Sequence, residues 1–426
     1  MSAASTESVA NRRWHVAPGE CAALAAAAGT YFLLLCGYYM MRSLREAMAL
    51  EAGREHIPLL FWLTTVVMLA ILPLYWWVVA RVRRDRLFAV VYLAVVLIFA
   101  AIATLARNGE VPPLLAGTYF VLVTTLNLFF ISVFWSVMVD LWTPQAAQRL
   151  FGIVSAGGSA GALVGPAFNA AFVARLGVTA IIYIACMLFI GAVVMGITAQ
   201  RLRTRAPDAH VDTRVAIGGR AIDDLKRLAR SRYLLAIVAF IVVAQIFGAL
   251  MYNEQARYVE QAYANLAERA ALFARIDFAS NVLALVMQTV VVGWLTMRGG
   301  VRATLTAMWT LCAVSFAALA LIPSGAMLLI TQIIRRGADY GLFKPAREML
   351  FTVLSPETKF KSKSLLDTVL QRGADSVGNG VYLLVAPVGL AGIAGASASA
   401  CVLLIVGARW LGAAFAEQES KGLRSR

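Results

Sequence analysis

Residues 324–352 read SGAMLLITQIIRRGADYGLFKPAREMLFT, an apolar stretch with charges set into its middle. Arg335, Arg336 and Asp339 lie well inside its polar flanks. At ~1.5 Å per residue this places them near the centre of a ~30 Å hydrocarbon layer. On insertion scales each such charge costs roughly 2.5–3.5 kcal/mol, so three cost on the order of 8–10 kcal/mol. That cost is sustained only where the charges face protein or water. The stretch therefore reads as a membrane helix beside a polar path.

The rest of the chain agrees. Hydrophobic residues make up 61% of it and charged residues 14%, against about 45–50% and 25% in soluble domains. Apolar runs predict twelve spans, at 21–46, 58–80, 87–106, 113–139, 151–174, 177–200, 233–254, 275–297, 301–322, 324–353, 364–389 and 391–416. The fold class expected is an all-α integral membrane protein with twelve transmembrane helices in two six-helix halves. The halves are 1–200 and 233–416, joined by a basic linker at 201–232 and followed by a tail at 417–426. Pro144 and Pro356 are 212 residues apart in similar span-ending segments, which points to a repeat. Two such halves are the layout of the major facilitator fold.

The net charge of +15 would suggest nucleic acid in a soluble protein. Here the positives gather in alternate loops, with 24 Lys and Arg in the tails and inside loops against eight outside. By the positive-inside rule both termini are cytoplasmic, as in a multi-pass protein of a bacterial inner membrane. The chain is expected to bind no nucleic acid. Cys21, Cys36, Cys186, Cys312 and Cys401 lie in apolar segments without CxxC spacing and read as small core residues. His15, His56 and His210 fall in tails or loops. No metal or other cofactor is expected. No Walker A motif or catalytic constellation is present, so the chain is not read as an enzyme.

In span 5, FGIVSAGGSAGALVGP, Gly157, Gly161 and Gly165 recur every four residues. Without a Lys-Ser/Thr end this is not a phosphate loop; the spacing is that of helices in close approach. In span 10, Asp339 can neutralise Arg335 at i,i+4 or Arg336 at i,i+3, and Lys344 can pair with Glu348. Arg336 and Arg347 share a face, and Pro345 weakens the helix between them. Span 10 reads either as an anion-binding helix or as an ion-pair network locking helices. Span 11 carries Asp367, Arg372 and Asp375, of which Arg372 and Asp375 can pair at i,i+3. Asp375 is a candidate protonation site. Arg42, Arg45 and Glu46 share a face at the end of span 1, and belong to the site only if the helix runs to residue 46. Asp140, Glu254 and Asp277 fall at predicted span ends.

Four segments resemble a known family. YYMMRSLREAM with the loop that follows, VFWSVMVDLWTPQAAQRLFG, YGLFKPAREM and KFKSKSLLDTVLQRGADSVG are similar, in order, to segments of the ATP:ADP antiporters of bacteria and plastids. That family lies near the major facilitators. The resemblance implies that Arg45, Asp140, Arg347 and Glu348 stand at positions the family uses. Lys344 replaces an aspartate of the family, and Asp375 stands at one of its lysines, a charge reversal.

The function expected is secondary active transport of a small polar, anionic solute, a nucleotide or phosphorylated metabolite, by alternating access and with exchange. Arg42, Arg45, Arg335, Arg336, Lys344, Arg347 and Arg372 would bind it, and Glu46, Asp140, Asp339, Glu348, Asp367 and Asp375 would carry protons or ion pairs. The protein is expected to work as a monomer in the bilayer. The alternatives are a proton-coupled transporter of another small solute and a membrane scaffold that transports nothing.

Overall fold

The computed structural model describes residues 19–81, 84–106, 111–142, 144–204, 232–352 and 370–424. Helices account for nearly all of them. α1 is Cys21–Glu51, α2 Ile57–Arg81, α3 Arg84–Leu105, α4 Pro113–Leu141, α5 Pro144–Leu176, α6 Val178–Thr204 and α7 Arg232–Ala262. α8 is Leu266–Val286, prolonged through a π-helical turn, Met287–Val291, into the start of Val292–Leu321. That last segment breaks at Gly299 and Gly300. Gly300 has φ 61°, a value a side chain resists. The part after the break, 301–321, is α9. α10 comprises Gly325–Ala338, a π turn at Asp339–Phe343, and Lys344–Leu350. α11 is Gln371–Val385 and α12 Gly389–Arg424.

Among the described residues nine stretches are long and apolar enough to cross a membrane. Two of them, Leu266–Leu321 and Gln371–Gln418, are 56 and 48 residues long. Each holds two crossings at ~20 residues per crossing, separated at Gly300 and Gly389. α10 supplies one more, its hydropathy lowered by its charges. These are the twelve helices expected.

Several helices outrun their apolar segments. α1 continues to Glu51, so Arg42, Arg45 and Glu46 are helical. α7 continues past the expected end at 254 to Ala262, and Asn253, Glu254 and Gln255 near that end are all buried. Hydropathy fell there because the residues are polar, yet each finds a partner within the bundle, so the helix has no reason to stop.

Contacts divide the chain into two compact units. Unit 1 comprises 1–53, 66–216 and 265–275; unit 2 comprises 54–65, 217–264 and 276–426. The expected linker lies mostly outside the described residues. Both units use the same pairings. In unit 1, α1 packs on α5 and α6, and α3 on α6. In unit 2, α7 packs on α11, and 301–321 belongs to the segment packed on α12.

The α1–α5 seam shows how. Lipid tails are as apolar as leucine, so helices in a membrane are held by close packing and interhelical hydrogen bonds. A Cβ added at Gly157, Gly161 or Gly165 would lie 2.5, 2.2 or 2.4 Å from the carbonyl oxygen of Ala28, Phe32 or Cys36. The glycine stripe therefore lies on the backbone of α1. Asn169 extends it by one turn, donating through Nδ2 to Met40 O (2.7 Å) and Ser43 Oγ (2.6 Å). In unit 2, a Cβ added at Gly378 of α11 would lie 2.8 Å from the Ala249 Cβ and 2.9 Å from the Ile246 Cα of α7. Gly378 follows Gly165 by 213 residues, and Ala249 follows Cys36 by 213. The seam is repeated at an interval within one residue of the 212 that separate the two prolines.

Candidate polar site

In unit 1 the site residues gather where α1 meets α4. Arg45 is ion-paired with Glu46, which is 4% exposed. Arg45 also donates to Thr124 Oγ1 on α4 (3.3 Å), and its guanidinium lies 5.4 Å from the centre of the Phe120 ring. Arg42 lies 5.3 Å from the ring of Tyr39. Tyr119 Oη donates to Met41 O, closing the α1–α4 contact. Asp140 falls in α4, but its side chain lies outside the described residues, as does the whole of Asp367.

In unit 2 the residues form three groups. The first joins α8 to α10. Arg336 is ion-paired with Asp277, which is 1% exposed. Of the two arginines that the spacing offers to Asp339, Arg336 is thus taken by a carboxylate of another helix. The physical reason is close packing. A Cβ at Gly337 would lie 2.6 Å from Leu283, and one at Gly341 2.6 Å from Met287. α10 therefore sits against α8, within reach of its carboxylate. Asp277 is no span-end residue, since α8 starts eleven residues before it.

The second group lies on the inner side of α10. Arg335 and Asp339 line one narrow pocket with Ala244, Phe247, Trp309 and Cys312. Arg335 donates through Nε to Gln332 Oε1 (3.0 Å), and Gln332 Nε2 donates to Gln255 Oε1 on α7 (2.5 Å).

The third group runs up the α7–α11 seam as a ladder. Gln245 Nε2 donates to Asp375 Oδ1 at 2.6 Å, and Arg372 Nη1 lies 3.6 Å from Asp375 Oδ2. Asn253 Nδ2 donates to Asn379 Oδ1 (2.8 Å). Tyr382 Oη donates to Glu254 Oε1 (3.0 Å), whose other oxygen is 3.1 Å from Arg257. Asp375 keeps 18% of its side chain exposed, against 1% for Glu254.

Past the π turn, Lys344 Nζ sits 4.1 Å from the ring centre of Tyr340, one turn back. The ion pair of Glu348 runs to Arg347, at 3.8 Å, rather than to Lys344 as expected. The π turn follows from Pro345. Proline has no N–H, so the carbonyl of Gly341 lacks its usual helical donor. Lys344 N–H bonds five residues back, to Asp339 O. Tyr340 O is released and accepts from Gln288 Nε2 on α8 (2.8 Å), within the other π turn.

Reasoning from the sequence did not single out Thr124, Asn169, Gln255 or Tyr382. Asn169 carried a signal, standing four residues beyond Gly165 in the stripe. The others lie on neighbouring helices and are recognised only through what they touch. Tyr39, Trp135 and Tyr252 pack against Tyr38, Tyr31 and Phe61. Among the described residues no group of three or more His, Cys, Asp or Glu is placed to hold a metal ion.

The profile of the Major Facilitator Superfamily matches residues 20–359. The chain belongs to that superfamily. As a major facilitator it is an integral, multi-pass secondary transporter of a small solute, and not an enzyme. No curated protein sequence matches it. Solved structures match its fold along nearly its whole length. A POT family transporter in complex with 5-aminolevulinic acid is 10% identical, with TM-score 0.64, over 92% of this chain and 96% of that one. A bacterial homologue of the human lysosomal transporter Spinster is 14% identical, with TM-score 0.57, over 96% and 99%. The nucleoside transporter NupG is 12% identical, with TM-score 0.55, over 93% and 99%. At these identities the likeness is one of fold. The comparisons reach the superfamily and do not single out the ATP:ADP antiporters.

Proposed function

We propose that this major facilitator couples the movement of a small polar solute to protonation of Asp375. The observation that carries the reading is the triad of Arg372, Asp375 and Gln245 across α7 and α11. A coupling carboxylate needs a partner that releases it and access for a proton. Asp375 has both, being held by a cation and an amide while partly exposed. Asp277 and Glu254, at 1% exposure, have partners but little access.

The charge balance supports this over a polyanionic cargo. Near the middle of their membrane helices stand Arg335, Arg336 and Arg372 against Asp339 and Asp375, an excess of one positive charge. With Asp277 paired to Arg336 the excess is gone. Arg45 likewise lies against Glu46, and Arg347 near Glu348. A nucleotide would have to displace carboxylates from its own binding arginines, which Coulomb's law disfavours. The exchange of a phosphorylated anion remains the second reading. It is favoured by the number of arginines in the membrane helices and by the bidentate fit of guanidinium to phosphate. On either reading the two halves alternate in access, the protein works as a monomer, and both termini face the cytoplasm of a bacterial inner membrane.

Proteoliposomes separate the two. Labelled dipeptides, nucleosides and ATP are offered with either a pH gradient or internal unlabelled solute. Uptake of one of them driven by the pH gradient alone supports proton coupling. ATP uptake that needs internal nucleotide and ignores pH supports exchange and rejects the proposal.

A further inference from the structure

α9 and α12 run side by side in opposite directions. Gly412 packs on Arg302 at one end, where an added Cβ would lie 2.3 Å from the Arg302 Cβ, and Gly395 approaches Ala320 at the other. Along this pair lies an open groove of about 730 Å³. Ala303, Ala307, Leu311 and Val314 line it from α9, while Arg302 and Arg409 stand toward the Gly412 end. None of the transport residues described above contributes to it.

Its depth in the membrane follows from the chain. Arg302 comes two residues after Gly300, where the chain turns between crossings. Arg409 lies 20 residues beyond Gly389, where α12 begins, and 20 helical residues are ~30 Å, one hydrocarbon thickness. Both arginines thus lie at headgroup level on the same face. Trp410 and Trp294 are half exposed nearby in sequence, as aromatic residues at a membrane interface are. Among the described residues Arg302 and Arg409 form no ion pair with a carboxylate, unlike Arg45, Arg336, Arg347 and Arg372 of the candidate polar site. The groove therefore combines two cations at the membrane surface with an apolar channel running inward from them.

We propose that this groove binds an anionic glycerophospholipid, its phosphate between Arg302 and Arg409 and an acyl chain along Ala303, Ala307 and Val314. The charge complementarity fixes the occupant. An apolar peptide would leave both guanidiniums unmatched, and a zwitterionic lipid brings its own cation to the same place.

Native mass spectrometry of the whole protein, released from nanodiscs of equal phosphatidylglycerol and phosphatidylcholine, tests this. At ~1 kcal/mol per arginine near the surface, the wild type should retain phosphatidylglycerol about thirtyfold over phosphatidylcholine. The double variant Arg302→Gln with Arg409→Gln should lose that preference, and Arg302→Lys with Arg409→Lys should keep most of it. Equal retention of the two lipids by the wild type overturns the proposal. So does a preference unchanged in the glutamine variant. A doubled mass without lipid, returning to a single mass in the glutamine variant, would assign the groove to a second copy and also overturn it. Should a variant fail to fold, quenching of wild-type tryptophan fluorescence by brominated phosphatidylglycerol, but not by brominated phosphatidylcholine, is the expected result. Equal quenching by both is the contrary one.

Discussion

Arg336 of α10 reaches Asp277 of α8, and the two form an ion pair whose carboxylate is almost wholly buried. In a low-dielectric interior such a pair adds little net stability, but removing one partner leaves an uncompensated charge, at about 3–5 kcal/mol. Asp277→Asn and Arg336→Gln should therefore each destabilise the purified protein strongly in thermal melts. The combined variant should recover much of the loss, because neither charge is then left alone. Additive losses in the double variant would show that the pair does not couple the two helices.

The α1–α5 seam predicts a graded response to small substitutions. The Cβ of Gly161→Ala would meet the backbone oxygen of Phe32 at 2.2 Å, and backbone cannot swing aside. A loss of about 1–3 kcal/mol is expected from overpacking. Gly152, on the same helix with nothing within 4 Å of its virtual Cβ, is the control. Gly152→Ala should be neutral or slightly stabilising. Unfolding in detergent, followed by circular dichroism, reads both.

The ladder between α7 and α11 predicts smaller effects. Tyr382→Phe removes the hydroxyl that donates to Glu254, yet Arg257 still holds that carboxylate. A cost of about 0.6–1.7 kcal/mol is expected, the range for interhelical hydrogen bonds in membranes. Asn379→Leu should cost more, because Asn253 loses a partner in a fully buried position and a branched side chain replaces an amide. Equal melting temperatures for the two variants would contradict the ordering.

Fold and seam were legible in the sequence for a physical reason. A membrane helix must satisfy its own backbone, so twenty apolar residues state its presence outright, and glycines every four residues state which face approaches a neighbour. Gly157, Gly161 and Gly165 were read in that way, and they lie on α1. Partners across helices were not legible. Spacing along α10 offered Asp339 to Arg336, but the partner is Asp277, 59 residues away. The end of α7 was misplaced for a related reason. The apolar run ends at Glu254 but the helix goes on to Ala262, and α10 and α11, distant in sequence, supply the groups that bury Asn253, Glu254 and Gln255. Pro345 was legible as a weak point in α10. That the released Tyr340 carbonyl is taken up by Gln288 was not.

The central claim is that Asp375 carries the coupled proton, and its most direct test compares two assays on Asp375→Asn in proteoliposomes. The first is accumulation of the transported solute driven by a pH gradient. The second is exchange of labelled for unlabelled solute at equilibrium, which needs no net proton movement. The account predicts that Asp375→Asn loses gradient-driven accumulation while exchange continues. Accumulation that persists in Asp375→Asn and still follows the pH gradient would contradict it.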